Sequence, residues 1–421
     1  MERVRPGPFP WYRGWTMVGL GIVMVMMSVG SVLYGYSIYV TPVSEELGLS
    51  RETINSGIVF QHLGTALLTP MIGRMLDKVK VSTIVAISGI CMGGGLMALS
   101  IGDALWPKAA LLFFPISFGF SGAGSIASYV LVSRWFKVNR GRAMAIVAFG
   151  QSGGSVVFAP VVAQLVAAFG WREALVYQGA FVGIALLLIA WGMVDRPVEG
   201  ETEPKPKSLD ESEPVPQVPD EPPLPLKQII ANPTFWVLAG IVALTLAVVQ
   251  ATVVSLVPLA NGRGIDLVQA STLISMIGVS GLLGKFALAI IADRFDRMKL
   301  VTFGVAVIMA FAFSLTLELG YWGLAISCSL AGLAIAGFWP VYSALLADIF
   351  GANSLGSVEG LVAPIISLTS AGAIYLAGVT FDVNGDYRLT FLIFGAALGV
   401  ALLLSLSLQF MQYRRARTAK S

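Results

Sequence analysis

Residues 196–227 read RPVEGETEPKPKSLDESEPVPQVPDEPPLPLK and separate two long, strongly apolar regions of the chain. Repeated proline and acidic residues cannot build a hydrophobic core, so we predict that this stretch is an extended linker. On both sides of it, apolar runs alternate with short polar turns. The linker therefore divides the chain into a first region, 1–195, and a second region, 228–421.

The chain is too apolar for a water-soluble protein. Of its 421 residues, 56% are hydrophobic and 12% are charged, and the mean hydropathy is +0.80. Soluble domains carry about 25% charged residues, whereas a membrane-spanning helix needs roughly 20 apolar ones. The apolar segments lie near 15–41, 53–73, 80–101, 108–133, 142–168 and 173–194, then 233–260, 267–292, 299–319, 322–347, 356–380 and 388–411. They predict an all-α membrane protein with twelve transmembrane helices in two six-helix bundles.

Basic residues concentrate in alternate loops between these segments. If the chain starts inside, seventeen fall on the inner side apart from those of the linker: Arg3, Arg5, Arg13, Arg74, Lys78, Lys80, Arg134, Lys137, Arg140, Arg142, Arg294, Arg297, Lys299, Arg414, Arg415, Arg417 and Lys420. The opposite loops hold five: Arg51, Lys108, Arg172, Arg263 and Arg388. Lysine and arginine favour the cytoplasmic side. We therefore predict a multi-pass protein of the cell (inner) membrane with both termini and the linker in the cytoplasm.

Composition also indicates which partners to expect. The net charge of +3 arises in loops rather than in one basic patch, so no nucleic-acid partner is expected. The two cysteines, Cys91 and Cys328, lie in apolar segments and form no pattern typical of a metal site. We expect no metal and no cofactor, and the lipid bilayer is the chain's surrounding partner.

The two halves resemble each other at a nearly constant offset. The matching pairs are GRMLDK (73–78) with AIIADR (289–294), GWR (170–172) with DYR (386–388), and FKVN (136–139) with FGAN (350–353). The first two pairs are offset by 216 residues (293 − 77 and 388 − 172) and the third by 214 (350 − 136). Duplicated halves related by an axis along the membrane normal are a transporter architecture, with the substrate site near the midplane between them.

The element that follows the second segment, Gly73, Asp77 and Lys78, resembles the G-x-x-x-D-[RK] motif of the major facilitator superfamily. Its echo in the second half keeps Asp293 and Arg294 but not the glycine. Such an aspartate can lie beside the cytoplasmic N-terminus of a helix from the other half, where the helix dipole favours its charge. This contact would hold the cytoplasmic side closed and is called the latch below. The alternative is a loop-capping signal without a conformational role.

Within the superfamily, the chain resembles the branch of monocarboxylate porters and oxalate–formate antiporters. The stretches that carry this likeness are YGYSIYVTPVSEELG (34–48), RWFKVNRGRAMAIVAFGQSGG (134–154) and FDVNGDYRLTF (381–391). The resemblance implies a secondary transporter, not an enzyme, that carries a small organic anion by alternating access, with protons as a co-substrate. Two other functions stay open: export of drug-like or amphipathic compounds, and organic-anion antiport.

Lys285 lies inside the apolar run GLLGKFALAIIADRFDR (281–297), about 12 Å before Asp293 along a helix. A lysine this deep is costly in lipid, so it usually faces a cavity or a partner. The resemblance implies that the equivalent position in the porters carries an arginine that binds the substrate carboxylate. Lysine keeps the charge but not the bidentate geometry of arginine. The alternatives are a structural ion pair or a side chain extended towards the membrane surface.

Five further residues are candidates for the transport site. His62 is the chain's only histidine, and adding 216 places it at Gly278, seven residues before Lys285 and so on the equivalent helix face. An imidazole can carry the coupled proton, or it can simply link two helices by hydrogen bonds. Polar aromatic groups and one amide could contact the substrate, or else pack between helices: Tyr36, Trp339, Tyr342 and Gln250.

The oxalate-type antiporters carry an additional lysine in the eleventh segment, whereas residues 356–380 of this chain contain none. One buried cation matches one carboxylate. The charge count therefore favours a lactate- or pyruvate-like monocarboxylate over a dicarboxylate.

The basic-residue pattern leads to a test of orientation. Single cysteines placed in the 196–227 linker should not react with a membrane-impermeant thiol reagent added outside intact cells, because the linker is predicted to be cytoplasmic. They should react after permeabilisation. Labelling from outside before permeabilisation would contradict both the orientation and the six-plus-six arrangement.

Overall fold

The computed structural model describes residues 12–136, 139–197, 224–291, 295–351 and 354–418, which form helices and no strand. In the first half, helices α1–α6 span Arg13–Leu47, Arg51–Lys78, Val81–Leu99, Leu105–Trp135, 149–169 and 171–192. In the second half, α7–α12 span Pro233–Gly262, Leu267–Ile291, Arg297–Ser314, Tyr321–Phe350, Leu355–Asn384 and Arg388–Thr418. The prediction of an all-α membrane protein is confirmed. Residues 198–223 of the linker lie outside the described residues, and the domain boundaries there stay a prediction.

Ten helical segments of the described chain are long and apolar enough to cross a membrane. One of them, Gly141–Gly192, is 52 residues long and is broken at Gly170, whose φ of 80° lies in the left-handed region that glycine tolerates. It therefore comprises two helices, α5 and α6. The twelfth helix is α2, which is 28 residues long but too polar to be recognised by hydropathy. Three of its polar side chains, Asn55, Gln61 and His62, are buried.

Two helices contain a short π-helical stretch: Gly30–Tyr34 in α1 and Leu112–Ile116 in α4. The second stretch contains Pro115, which has no backbone N–H to donate to the preceding turn. A π stretch inserts an extra residue into a helix and is frequent at functional sites. Both stretches border the same cavity of the first half, described below.

The most extensive contacts between the halves lie along two helix pairs, α2 with α11 and α5 with α8. The Asn55 amide of α2 donates to the Ile374 oxygen of α11 (3.0 Å), and the Ser275 hydroxyl of α8 donates to the Ser155 oxygen of α5 (3.3 Å). At Gly278 of α8, an added Cβ would lie 1.9 Å from the Ser155 hydroxyl oxygen. Close packing of small residues is typical of helix interfaces in membranes.

The alternating course of the helices gives the bundle two ends. The end at which α1 begins and α12 finishes is called the terminal end, and the end with the α1–α2 and α11–α12 turns is the distal end. At the terminal end, the Tyr12 hydroxyl donates to the Trp135 oxygen (2.5 Å), and the Gln409 amide donates to the Met298 oxygen (3.3 Å). These contacts fix the first and last helices against their own halves.

Candidate functional site

His62, the predicted proton site, lies at the contact between the two halves. It is 9% exposed and sits about 17 Å along α2 from the distal end, near the middle of the bundle. Its Nε2 lies 2.7 Å from Oε1 of Gln250 in α7, and its Nδ1 lies 2.9 Å from the Ile58 oxygen. Gln250 Nε2 in turn donates to the hydroxyl of Ser370 in α11 (3.1 Å). Two residues predicted separately, His62 and Gln250, are therefore direct partners.

The hydrogen bonds that link His62, Gln250 and Ser370 can have either of two donor–acceptor directions. The Ile58 oxygen can only accept, so Nδ1 of His62 carries a proton whether the ring is neutral or charged. Nε2 then accepts from the Gln250 amide when the ring is neutral, and donates to it when the ring is charged. The Gln250 amide serves both states by rotation, and the Ser370 hydroxyl can either donate or accept. A proton on His62 thus reorders bonds that join α2 to α7 and α11.

Lys285 lies on the other interface between the halves. Its ammonium donates to the Ala148 oxygen (2.8 Å) and to the Ser152 hydroxyl (3.2 Å), and it lies 5.9 Å from the ring centre of Phe149. Ala148 stands at the break between the short helix Arg140–Val147 and α5, and its oxygen also accepts from the Gln151 N–H group (3.3 Å). Among the described residues, Lys285 has no carboxylate at ion-pair distance. Neutral oxygens solvate its charge without cancelling it.

The aromatic candidates occupy separate places. In α10, the rings of Trp339 and Tyr342 lie 5.9 Å apart, and Tyr342 is fully buried with a hydroxyl that has no hydrogen-bond partner among the described residues. In α1, the Tyr36 hydroxyl donates to the Ile54 oxygen of α2. Tyr36 lines a cavity inside the first half, whereas Lys285 contacts α5.

The motif residues lie at the terminal end of α2. An added Cβ at Gly73 would meet no atom within 4 Å, and Lys78 is exposed in the last helical turn. Asp293 and Arg294 lie outside the described residues, as does the side chain of Asp77. The latch therefore stays a prediction.

A contact that the sequence did not indicate closes the distal end. The Asp382 carboxylate, at the end of α11, accepts hydrogen bonds from the backbone N–H groups of Arg51 (2.9 Å) and Glu52 (2.7 Å) at the start of α2. The first N–H groups of a helix have no intrahelical acceptor, and the positive end of the helix dipole favours an anion there. Asp382 of the second half thus caps a helix of the first half.

Neighbouring contacts reinforce this closure. The Tyr375 hydroxyl donates to the Glu52 carboxylate, and the Arg51 guanidinium lies 5.5 Å from the ring centre of Phe381. At Gly378 the backbones of α11 and α2 come so close that an added Cβ would lie 2.7 Å from the Cα of Glu52. The start of α2 and the end of α11 therefore fit together in detail at the distal end.

The family model of the major facilitator superfamily matches residues 18–328 of this chain. The chain belongs to this superfamily. It is a membrane transporter and not an enzyme, as predicted. The twelve helices and the duplicated arrangement of their contacts agree with this assignment.

Relatives and solved structures agree with it. The chain is 24% identical to "Monocarboxylate transporter 12-B" of Danio rerio over 98% of this chain and 91% of the relative. It is 25% identical to the "Oxalate:formate antiporter" of Oxalobacter formigenes over 40% of each chain. A crystal structure of a bacterial homologue of the human lysosomal transporter Spinster superimposes with a TM-score of 0.70 and 15% identity, covering 95% of this chain and 97% of that one. This last similarity supports the fold alone.

The distal contact leads to a prediction. In this transporter, Asp382→Asn should weaken the closure because the uncharged amide loses its attraction to the α2 N-terminus. Ser37 is fully buried, and its hydroxyl donates a hydrogen bond to the Val254 oxygen of α7. A cysteine introduced at this position therefore reports opening of the distal end through its accessibility to reagent. With Cys91 and Cys328 replaced by serine, an impermeant thiol reagent on the distal side should label it about three- to fivefold faster in the variant.

Two matched pairs control this test. Asp386→Asn alters an acid of the same loop that caps the Arg388 N–H group within its own half, and it should not change the labelling rate. Gly378→Ala should separate α2 from α11 and accelerate labelling, whereas Gly372→Ala, where an added Cβ meets nothing within 4 Å, should not. Equal rates for Asp382→Asn and Asp386→Asn would show that Asp382 does not hold this end closed.

Proposed function

We propose that this transporter moves a small organic monocarboxylate, of the lactate or pyruvate kind, together with a proton by alternating access. The observation that carries the proposal is the set of neutral groups around the Lys285 ammonium. A half-buried ammonium surrounded by neutral oxygens keeps its full charge, and an anion that enters the bundle is the partner that neutralises it. An amine has three donors, and two of those of Lys285 are engaged by α5, so one is available to a carboxylate.

The size and charge of the substrate follow from the same residue. One uncompensated cation balances one carboxylate, and residues 356–380 contain no second lysine. The unpartnered Tyr342 hydroxyl and the indole of Trp339 are candidates to bind a polar group of the substrate. Relatives named as monocarboxylate transporters and an oxalate:formate antiporter support an organic anion.

Proton coupling is assigned to His62. Imidazole is the side chain that changes charge near neutral pH. Because His62 bonds to Gln250 of the other half, its protonation changes an inter-half contact directly. Gln250 then acts on the proton site rather than on the substrate.

Alternating access requires that each end close in turn, and α2 and α11 provide the elements for both closures. At the distal end, Asp382 of α11 caps the start of α2. At the terminal end, α2 finishes with Asp77 and Lys78, while α11 begins at Leu355. We assign Asp77, with Gly73 and Lys78, to the reciprocal contact with the start of α11 when the distal end opens. Asp293 and Arg294 are assigned the equivalent role in the second half.

Substitution of Lys285 tests the substrate assignment. Lys285→Ala should weaken the binding of pyruvate or lactate at least tenfold, since a lost buried charge contact costs on the order of 2–5 kcal/mol. Lys285→Arg should keep part of the affinity because it keeps the charge in a larger planar group. Thermal-shift titration of the purified protein with a panel of carboxylic acids measures the affinities.

Ser152→Ala is the matched control because it removes one oxygen partner of Lys285 but leaves the charge. It should retain binding within a few-fold. Unchanged affinity of Lys285→Ala for the same acid would contradict the counter-charge role and leave Lys285 a structural residue between α5 and α8.

His62→Gln tests the coupling. Uptake of the radiolabelled acid into proteoliposomes should depend on pH in the unaltered protein and lose that dependence in the variant. Glutamine can still bond to Gln250, so substrate affinity should be preserved. A pH profile that survives in His62→Gln would assign the proton to another group.

A further inference from the structure

The first half encloses a cavity that no transport step described above uses. Its volume is about 350 Å³, and its walls come from α1, α2, α3, α4 and α6 near the distal end. It lies on the side of α1 away from α7, because Ser37, which bonds to α7, does not line it, whereas Tyr36 does. The cavity therefore belongs to the interior of one half rather than to the contact between the halves.

The polar groups on the cavity wall are almost all occupied by the protein. The hydroxyls of Tyr36 and Tyr39 bond to the Ile54 oxygen and to Gln178, the amide of Gln61 donates to Thr65, and the ammonium of Lys108 donates to the Leu99 oxygen. The remaining wall is aliphatic and aromatic. Such a surface suits a hydrocarbon.

Two independent features mark the cavity as a binding site. Both π-helical stretches border it, through Ser31 and Val32 of α1 and through Leu112 and Ile116 of α4. In addition, the Ser31 hydroxyl lies on the wall, is 3% exposed and has no hydrogen-bond partner among the described residues. Helix distortions that converge on one space are more typical of a site than of a packing fault.

The rim of the cavity carries exposed apolar side chains. Trp106, at the start of α4, is 79% exposed, and its ring lies 6.4 Å from that of Phe60 of α2. Leu105 beside it is also exposed. Tryptophan favours the level of the lipid headgroups, so a lipid beside Trp106 would have its head at the surface and its chain level with the opening.

We propose that this cavity binds an acyl chain of a membrane lipid, which enters between α2 and α4 past Phe60 and Trp106. The inner end of the chain reaches Val32 and Leu112, next to the Ser31 hydroxyl. An acyl chain makes van der Waals contacts with the apolar wall, which water in the cavity would not make as well. The assignment does not depend on the identity of the transported substrate.

Photo-crosslinking tests the site. The purified full-length protein is reconstituted with phosphatidylcholine that carries a diazirine in the middle of one acyl chain, irradiated and digested, and labelled peptides are identified by mass spectrometry. Label is expected on residues 31–43 and 109–116. Ala109→Leu, which fills the cavity, should reduce that label about fivefold, whereas Ala110→Leu, at the exposed neighbouring residue, should not. Leu112→Phe is the second filling variant should Ala109→Leu fail to fold.

Three outcomes would overturn the proposal. The first is an absence of label on both peptides in the unaltered protein. The second is equal labelling of the filling variants and Ala110→Leu, which would indicate lipid on the outer surface alone. The third is displacement of the label by excess pyruvate, which would make the cavity part of the substrate route. Loss of transport with labelling intact would affect the proposed function and leave this site unaffected.

Discussion

The contact between the Asp382 carboxylate and the first N–H groups of α2 shows what the two halves depend on. Hydrocarbon around a membrane protein gives helices no hydrophobic reason to associate, so small residues and polar groups must hold the halves together. The start of a helix supplies unsatisfied donors, and a carboxylate of the other half satisfies them. An exposed contact of this kind stabilises the closed distal end by about 0.3–1 kcal/mol. This energy is enough to favour one conformation and small enough for a contact at the other end to replace it.

The internal repeat places the two ionisable side chains on equivalent helix faces. His62 corresponds to Gly278 at an offset of 216, and Gly278 shares a face of α8 with Lys285. In the structure this face of α8 contacts Ser152 and Ser155 of α5, and the face of α2 with His62 contacts Gln250, a partner of α11. Each half therefore directs one ionisable group at the other half, on symmetry-related interfaces. In the proposed mechanism Lys285 binds the anion and His62 binds the proton. Both ligands therefore act on contacts between the two halves, which change during alternating access.

The sequence predicts the helices well because each is an apolar run whose ends are marked by glycine, proline or charge. The polar α2 is the limiting case: it is less apolar than the helices that hydropathy recognises, yet the segment 53–73 predicts it. The site is harder to predict, since its bonds join residues far apart in the chain. His62 and Gln250 are separated by 188 residues, and a partner of Lys285 is a backbone oxygen at a helix break. No pattern of side chains signals such an acceptor. Asp382 belongs to the stretch 381–391, which resembles the family. Its partners, however, are main-chain N–H groups, which every helix start possesses, so the sequence does not indicate this contact.

The geometry of Lys285 explains how binding and closure can be one event. Two of its three N–H donors bind Ala148 and Ser152 of α5, across the contact between the halves. A carboxylate at the third donor would leave those bonds in place and would neutralise the charge that makes the buried ammonium costly. The same side chain would then hold the substrate from α8 and the other half through α5. An arginine keeps the charge but carries its donors in a larger planar group, which differs in shape from the ammonium that bonds to Ala148 and Ser152. In the proposed mechanism, lysine at this position therefore favours a substrate that strengthens the contact between the halves.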